Sequence, residues 1–229
     1  MKARAHRDHF GLLLVVLVAD YVLSAFVSGT WVTVVRLGLF LAAAMLAVRT
    51  SQFRRPTALL AFAAAASGSV IALVLVLTFS SGPGAGTGYL LMGVLLAGAA
   101  VLVLYRVLAS RQEVTLQSIF GAISVYMILG LMFAVFYAAI NEFTKGAFFA
   151  DGQPANVKTF QYFSFTTLTT LGYGDFTAAG SGGRAVAVME ALVGQVFLAT
   201  LVARLVAAYR GPQRPRDDEG ADNGQDPPG

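Results

Sequence analysis

Six apolar runs of about twenty residues each divide this 229-residue chain, and about 20 apolar residues is the length a helix needs to cross the ~30 Å hydrocarbon layer of a bilayer. They cover roughly Phe10–Val27, Trp31–Val48, Thr57–Phe79, Tyr89–Leu108, Ile119–Ile140 and Arg184–Ala208. The breaks between them carry turn chemistry: Ser28-Gly29-Thr30, Arg54-Arg55-Pro56 and Ser80-Ser81-Gly82-Pro83-Gly84. Hydrophobic residues make up 57% of the chain and charged residues 12%, about half the charged share of a soluble domain. That balance excludes a soluble enzyme, a disordered protein and a nucleic-acid binder. The net charge of +4 sits at the ends of the runs, where it reads as topology. With no cysteine, and with His6 and His9 as the only histidines, thiolate chemistry is excluded and little is left for a zinc or catalytic site. The fold class expected is an all-α membrane protein of six transmembrane helices.

Charge placement orients the spans. Lys2, Arg4 and Arg7 precede the first, Arg49, Arg54 and Arg55 follow the second, Arg106 and Arg111 follow the fourth, and Arg204, Arg210, Arg214 and Arg216 end the sixth. These are twelve of the sixteen basic residues, all on one side, which the positive-inside rule makes cytoplasmic together with both termini. The first run resembles a secretory leader in its basic start, but it is long for one, contains Asp20 and is followed by no clear small-x-small cleavage site. Residues 210–229 are rich in Pro, Gly, Asp and Gln and are expected to be a disordered cytoplasmic tail.

About forty residues separate the fifth and sixth runs, and their second half reads Tyr162-Phe163-Ser164-Phe165-Thr166-Thr167-Leu168-Thr169-Thr170-Leu171-Gly172-Tyr173-Gly174-Asp175. An apolar, hydroxyl-rich stretch too short to span, followed by a glycine-punctuated extended segment, predicts a re-entrant pore helix and loop. Non-helical backbone survives at membrane depth only where it is buried in protein or lines a water-filled path. Gly172 and Gly174 alternate with Leu171 and Tyr173, so the glycines permit dihedrals that turn successive carbonyls to one side. Several chains around one axis would then stack rings of carbonyl oxygens, with the Thr170 hydroxyl as one more ring. Rings of partial negative charge suit a large, weakly hydrated monovalent cation, and the C-terminal end of the short helix adds attraction.

Thr169-Thr170-Leu171-Gly172-Tyr173-Gly174-Asp175 resembles the selectivity filter of the potassium channel family, usually written TTVGYGD. The flanking outer helix, pore helix and inner helix follow the family's order over about residues 111–209. The resemblance implies K+ as the permeant ion, held by the backbone carbonyls of Thr170, Leu171, Gly172 and Tyr173 and by the Thr170 hydroxyl. It implies that Gly174 completes the outer mouth and that Asp175 lies behind it against the pore helix. Where the family has a tryptophan pair this chain has Tyr162 and Phe163; the Tyr162 hydroxyl reaches toward Asp175, whereas Phe163 has no donor. Leu171 replaces the usual valine and loses the β-branching that stiffens an extended backbone.

Other charged and small residues in the spans are candidate determinants. Glu190, an acid inside the sixth span, is functional by default, either facing a cavity or bonding Thr166 or Thr167 of the pore helix as filter support. Gly194, four residues on, stands where the family often has a gating hinge, or serves a close helix contact. Asp20 and Arg36 lie at similar depth and are expected to pair within the membrane. Residues 1–110 form the expected four-helix bundle at the position of a voltage sensor. The fourth span holds only Arg106, however, and steep gating needs about three or four charges per subunit. Residues 111–209 form the pore domain.

The function expected from the resemblance is passive potassium conduction by a homotetramer in the plasma membrane. Voltage dependence is expected to be weak or absent, the only partners further copies of the chain and membrane lipid. No enzymatic activity, nucleotide or nucleic acid is expected. A non-selective cation channel, a potassium transporter subunit and a non-conducting channel subunit are the alternatives.

Overall fold

A computed structural model describes residues 10–26, 55–79, 81–109, 115–144 and 146–208. The second apolar run, Arg36 with its pairing to Asp20, and the tail lie outside the described residues. Within them every regular element is helical, and the one β-contact is an isolated antiparallel bridge between Phe149 and Ala178. In chain order the helices are α1 (Phe10–Phe26), α2 (Arg55–Thr78), α3 (Pro83–Ala109), α4 (Leu116–Phe143), α5 (Val157–Leu168) and α6 (Ser181–Ala208), with a 3₁₀ turn at Ala150–Gly152 before α5. Among the described residues three helices, over Pro83–Tyr105, Leu116–Phe143 and Ser181–Ala207, are long and apolar enough to cross a membrane, as in a helical membrane protein.

The hub is α4, which packs against α1, α3, α5 and α6, while α2 packs on the outer side of α3. Its start is set by Thr115, whose hydroxyl accepts the Ser118 amide at 3.3 Å as an N-cap. Its buried face carries Val125, Ile128, Leu131, Phe133 and Tyr137. Over α4's apolar stretch 56% of residues are buried within the chain, against 11% over that of α6, so α4 lies at the centre of the helical packing and α6 on a face of the chain.

Helix α3 begins six residues before the apolar run read from sequence, through a segment with glycines at 84, 86 and 88. Pro83 at its first position is pre-set for a helix start, and Gly82, at φ 85°, donates its amide to Glu142 Oε2 at 2.7 Å. Contacts then override the weak helix propensity of glycine: a Cβ on Gly88 would meet the Ala72 carbonyl at 2.8 Å. The α2–α3 crossing therefore depends on a missing side chain. Replacing Gly88 with valine should lower the thermal midpoint of the detergent-solubilised protein, an overpacking cost of about 1–3 kcal/mol. Gly98, with nothing within 4 Å of its Cβ position, is the control; its alanine variant should unfold no earlier than wild type.

Candidate ion-conducting site

Everything in the site is arranged around α5, a helix of 12 residues lodged between α4 and α6. A capping box starts it: Asn156 Oδ1 accepts the amides of Lys158 and Thr159 at 3.0 and 3.1 Å, and the Asn156 amide donates to Thr159 Oγ1 at 2.9 Å. Its outer half is wrapped by aromatic rings. Phe163 stacks edge-on with Tyr137 at 5.0 Å and with Phe149 at 5.5 Å, and Phe148 meets Phe160 at 5.1 Å. Phe163 thus serves as packing at a position where sequence reasoning noted only a missing donor. The Phe149–Ala178 bridge, with Ala150 N–H to Thr177 O at 2.8 Å and Ala179 N–H to Phe148 O at 2.9 Å, ties the segment before α5 to the one after the loop.

At the other end α5 stops at Thr169, and the chain continues through Thr170 to Asp175 without regular structure. Three amides in a row turn back to the helix: Thr170 N–H to Thr167 O at 2.9 Å, and Leu171 and Gly172 N–H to Thr166 O at 2.8 and 3.2 Å. Positive φ recurs at every second residue, 59° at Thr170, 52° at Gly172 and 81° at Gly174. With φ alternating in sign, the amides of Thr170, Leu171 and Gly172 all turn toward the end of α5. Among the described residues no protein donor reaches the carbonyls of Thr170, Leu171, Gly172 or Tyr173. The left-handed Thr170 is the exception to the glycine pattern, a β-branched residue in a region such residues rarely adopt, and sequence reasoning did not foresee it. The Leu171 and Tyr173 side chains are 59% and 69% exposed in the single chain.

Behind the loop, the Tyr162 hydroxyl hydrogen-bonds the Asp175 carboxylate, which raises the phenol above its ordinary range. The Asp175 carbonyl accepts from Gln153 Nε2. The Thr166 hydroxyl donates to Phe163 O within its own helix at 3.0 Å, so the support from Thr166 is its backbone carbonyl.

Glu190 is fully buried, and the structure corrects its partner. Its carboxylate meets neither Thr166 nor Thr167. Tyr137 donates its hydroxyl to Oε2 and Ser164 its hydroxyl to Oε1, both at 2.5 Å, joining α4, α5 and α6 at one point. The contact falls two residues before Thr166 on α5, and the hydroxyl of Thr166 is committed to its own helix. Ser164 Oγ also lies 2.7 Å from the Gly130 carbonyl. A hydroxyl has one proton and serves one acceptor at a time; with a proton on the carboxyl, Ser164 is released to Gly130 and the whole set is paired.

Gly194 faces the end of α5: a Cβ there would lie 2.3 Å from the Leu168 carbonyl oxygen, which also accepts the Tyr126 hydroxyl at 3.0 Å. The position serves close packing of α6 on α5. Sequence reasoning also missed Ser24 and Tyr21 of α1. Ser24 donates to the buried Gln161 of α5 and Tyr21 stacks edge-on with Phe165 at 4.9 Å; a lone serine in an apolar run was the available signal. Asp20 lies on the same helix.

Three substitutions test this bracing. Glu190→Gln, which keeps a donor and an acceptor, should assemble as wild type does. Glu190→Leu orphans the buried Tyr137 hydroxyl at about 1–3 kcal/mol, leaves Ser164 with the Gly130 carbonyl alone, and should lower the melting temperature of the solubilised protein markedly. Gly194→Ala drives a methyl into backbone and should destabilise by about 1–3 kcal/mol in the same melting experiment.

Residues 123–210, from within α4 to just past the end of α6, match the family model described as ion channel. Among curated proteins and among solved structures nothing matches. This stretch contains α5, the loop and both helices that brace them, and in it the chain is similar to ion channels.

Proposed function

We propose that four copies of this chain surround one axis as a potassium-selective channel. Each copy contributes the carbonyls of Thr170, Leu171, Gly172 and Tyr173 and the Thr170 hydroxyl to stacked cation sites. The observation that carries the reading is the backbone of the loop, with its first three amides committed to α5, φ alternating in sign, and carbonyls without protein donors. Such carbonyls replace the hydration shell of a cation the size of K+ without full negative charge. The C-terminal end of α5, whose orphan carbonyls carry the negative pole of the helix, adds attraction.

Two further features support assembly. One chain offers one wall of oxygens, whereas a cage needs several. In the single chain Leu171 and Tyr173 are exposed, and α6 is apolar yet little buried, so further copies give these surfaces a partner. In this reading the loop with α5 is re-entrant, six helices span the plasma membrane with both termini cytoplasmic, and Asp20 pairs with Arg36. The helices before the pore brace it rather than sense voltage, because one basic residue in the fourth span supplies too little charge. A charge crossing the whole field gains only about 2.3 kcal/mol per 100 mV.

The test is the reversal potential of purified protein in planar bilayers with K+ opposed to Na+. A value near the K+ equilibrium potential, with a shallow conductance–voltage curve, is expected. Clear current reversing near zero would replace the proposal with a non-selective cation channel, and a steep curve would overturn the voltage independence. Gly172→Ala places a Cβ on a residue at φ 52° and should abolish K+ selectivity or current in the same recordings.

A further inference from the structure

Gly194 and Gln195 are neighbours on α6 with one geometric consequence between them. The missing side chain of Gly194 lets α6 close on the last carbonyl of α5, and the next residue then reaches the loop. Gln195 Nε2 donates to Thr170 Oγ1 at 3.2 Å. Two threonine hydroxyls that precede this position behave differently. Thr166 Oγ1 turns back to Phe163 O at 3.0 Å and Thr169 Oγ1 to Phe165 O at 2.6 Å, each within its own helix. Thr170 follows them in sequence, carries the same hydroxyl, and is held forward instead.

A threonine hydroxyl has one proton and two lone pairs. The Gln195 amide engages one lone pair and fixes the oxygen, leaving the other lone pair available to a ligand. Gln195 is also a polar residue on a stretch of α6 that exposes Leu192, Val196 and Leu198, where an unmatched amide is costly.

We infer that Gln195 is a positioning residue. It holds the Thr170 hydroxyl as a fixed oxygen ligand at the α5 end of the filter and sets how well that site binds a divalent cation relative to a monovalent one. The inference rests on the channel reading above and goes beyond it in naming a side chain outside the filter that tunes one of its sites. A dehydrated Ba2+ ion, close to K+ in size with twice the charge, depends on each ligand oxygen about twice as strongly, so it reports the placement of that oxygen better than K+ does.

The experiment is calorimetric titration of full-length, detergent-solubilised protein with KCl and with BaCl2, wild type against Gln195→Met, which has similar length and no donor. The expected result is a loss of about tenfold in Ba2+ affinity, the scale of one hydrogen bond, with a smaller loss for K+. An unchanged ratio of the two affinities would overturn the inference. Thr170→Val removes the other partner, and adding Gln195→Met to it should cost no more; additive losses would equally overturn it. Should Gln195→Met not assemble, Gln195→Leu takes its place in both comparisons. Wild-type protein that binds neither ion would defeat the filter reading itself, which is visible before any variant is compared.

Discussion

A backbone that leaves helical geometry beside apolar helices must find a partner for each N–H and C=O it exposes, and the rest of this structure is arranged around how residues 170–174 meet that demand. The first three donors are satisfied internally, since Thr170, Leu171 and Gly172 give their amides to the carbonyls of Thr166 and Thr167. The acceptors are left without protein donors among the described residues. This division requires alternating handedness, which glycine adopts without penalty at 172 and 174 and which Thr170 adopts against its preference. A strained residue persists only where its surroundings over-determine it. Here an amide bond to Thr167 and a side-chain bond from Gln195 hold it on both sides.

The loop is therefore only as well placed as α5, and α5 is fixed at several heights by different chemistry. A capping box and a cluster of phenylalanines hold its beginning. The Glu190–Ser164–Tyr137 junction holds its middle to both long helices, and the Leu168 carbonyl, gripped by Tyr126 and overlaid by Gly194, holds its end. The buried Ser24–Gln161 bond adds α1 to the same frame. Polar contacts in an apolar bundle are directional where van der Waals packing is not. Three of these braces bring α1, α4 and α6 to defined residues of α5, so a displacement of any of these helices is felt at the loop.

What was legible in the sequence follows from how local each signal is. Apolar runs and the Thr-Leu-Gly-Tyr-Gly alternation are properties of contiguous residues, and they pointed to the helices and to the loop. Long-range pairings were less accessible. The acid at 190 signalled an intramembrane partner, but its choice of Ser164 over Thr166 depends on a hydroxyl being already engaged within α5. The early start of α3 was hidden by glycines that read as breakers and are there for close contact, Gly88 with α2 and Gly86 with Glu142 and Phe143 of α4. Phe163 looked like a lost donor because its neighbours Tyr137, Phe148 and Phe149 are brought to it only by the fold.

The faces the subunit leaves open differ in kind, and the difference bears on what covers each. Helix α3 exposes Leu90, Val94, Val101 and Leu108, an apolar series that hydrocarbon covers without cost. Helix α6 exposes Val188, Leu192, Val196 and Val202 and also the polar Gln195 and Thr200, close to an exposed loop of backbone acceptors. Lipid can cover the valines but has nothing to offer an amide, a hydroxyl or a row of carbonyls. Water and other protein have, and in the proposed assembly a central path bounded by neighbouring copies of α6 would provide both. The polar residues on α6 and the carbonyls of the loop thus call for the same environment, although they come from different elements and different chemistry.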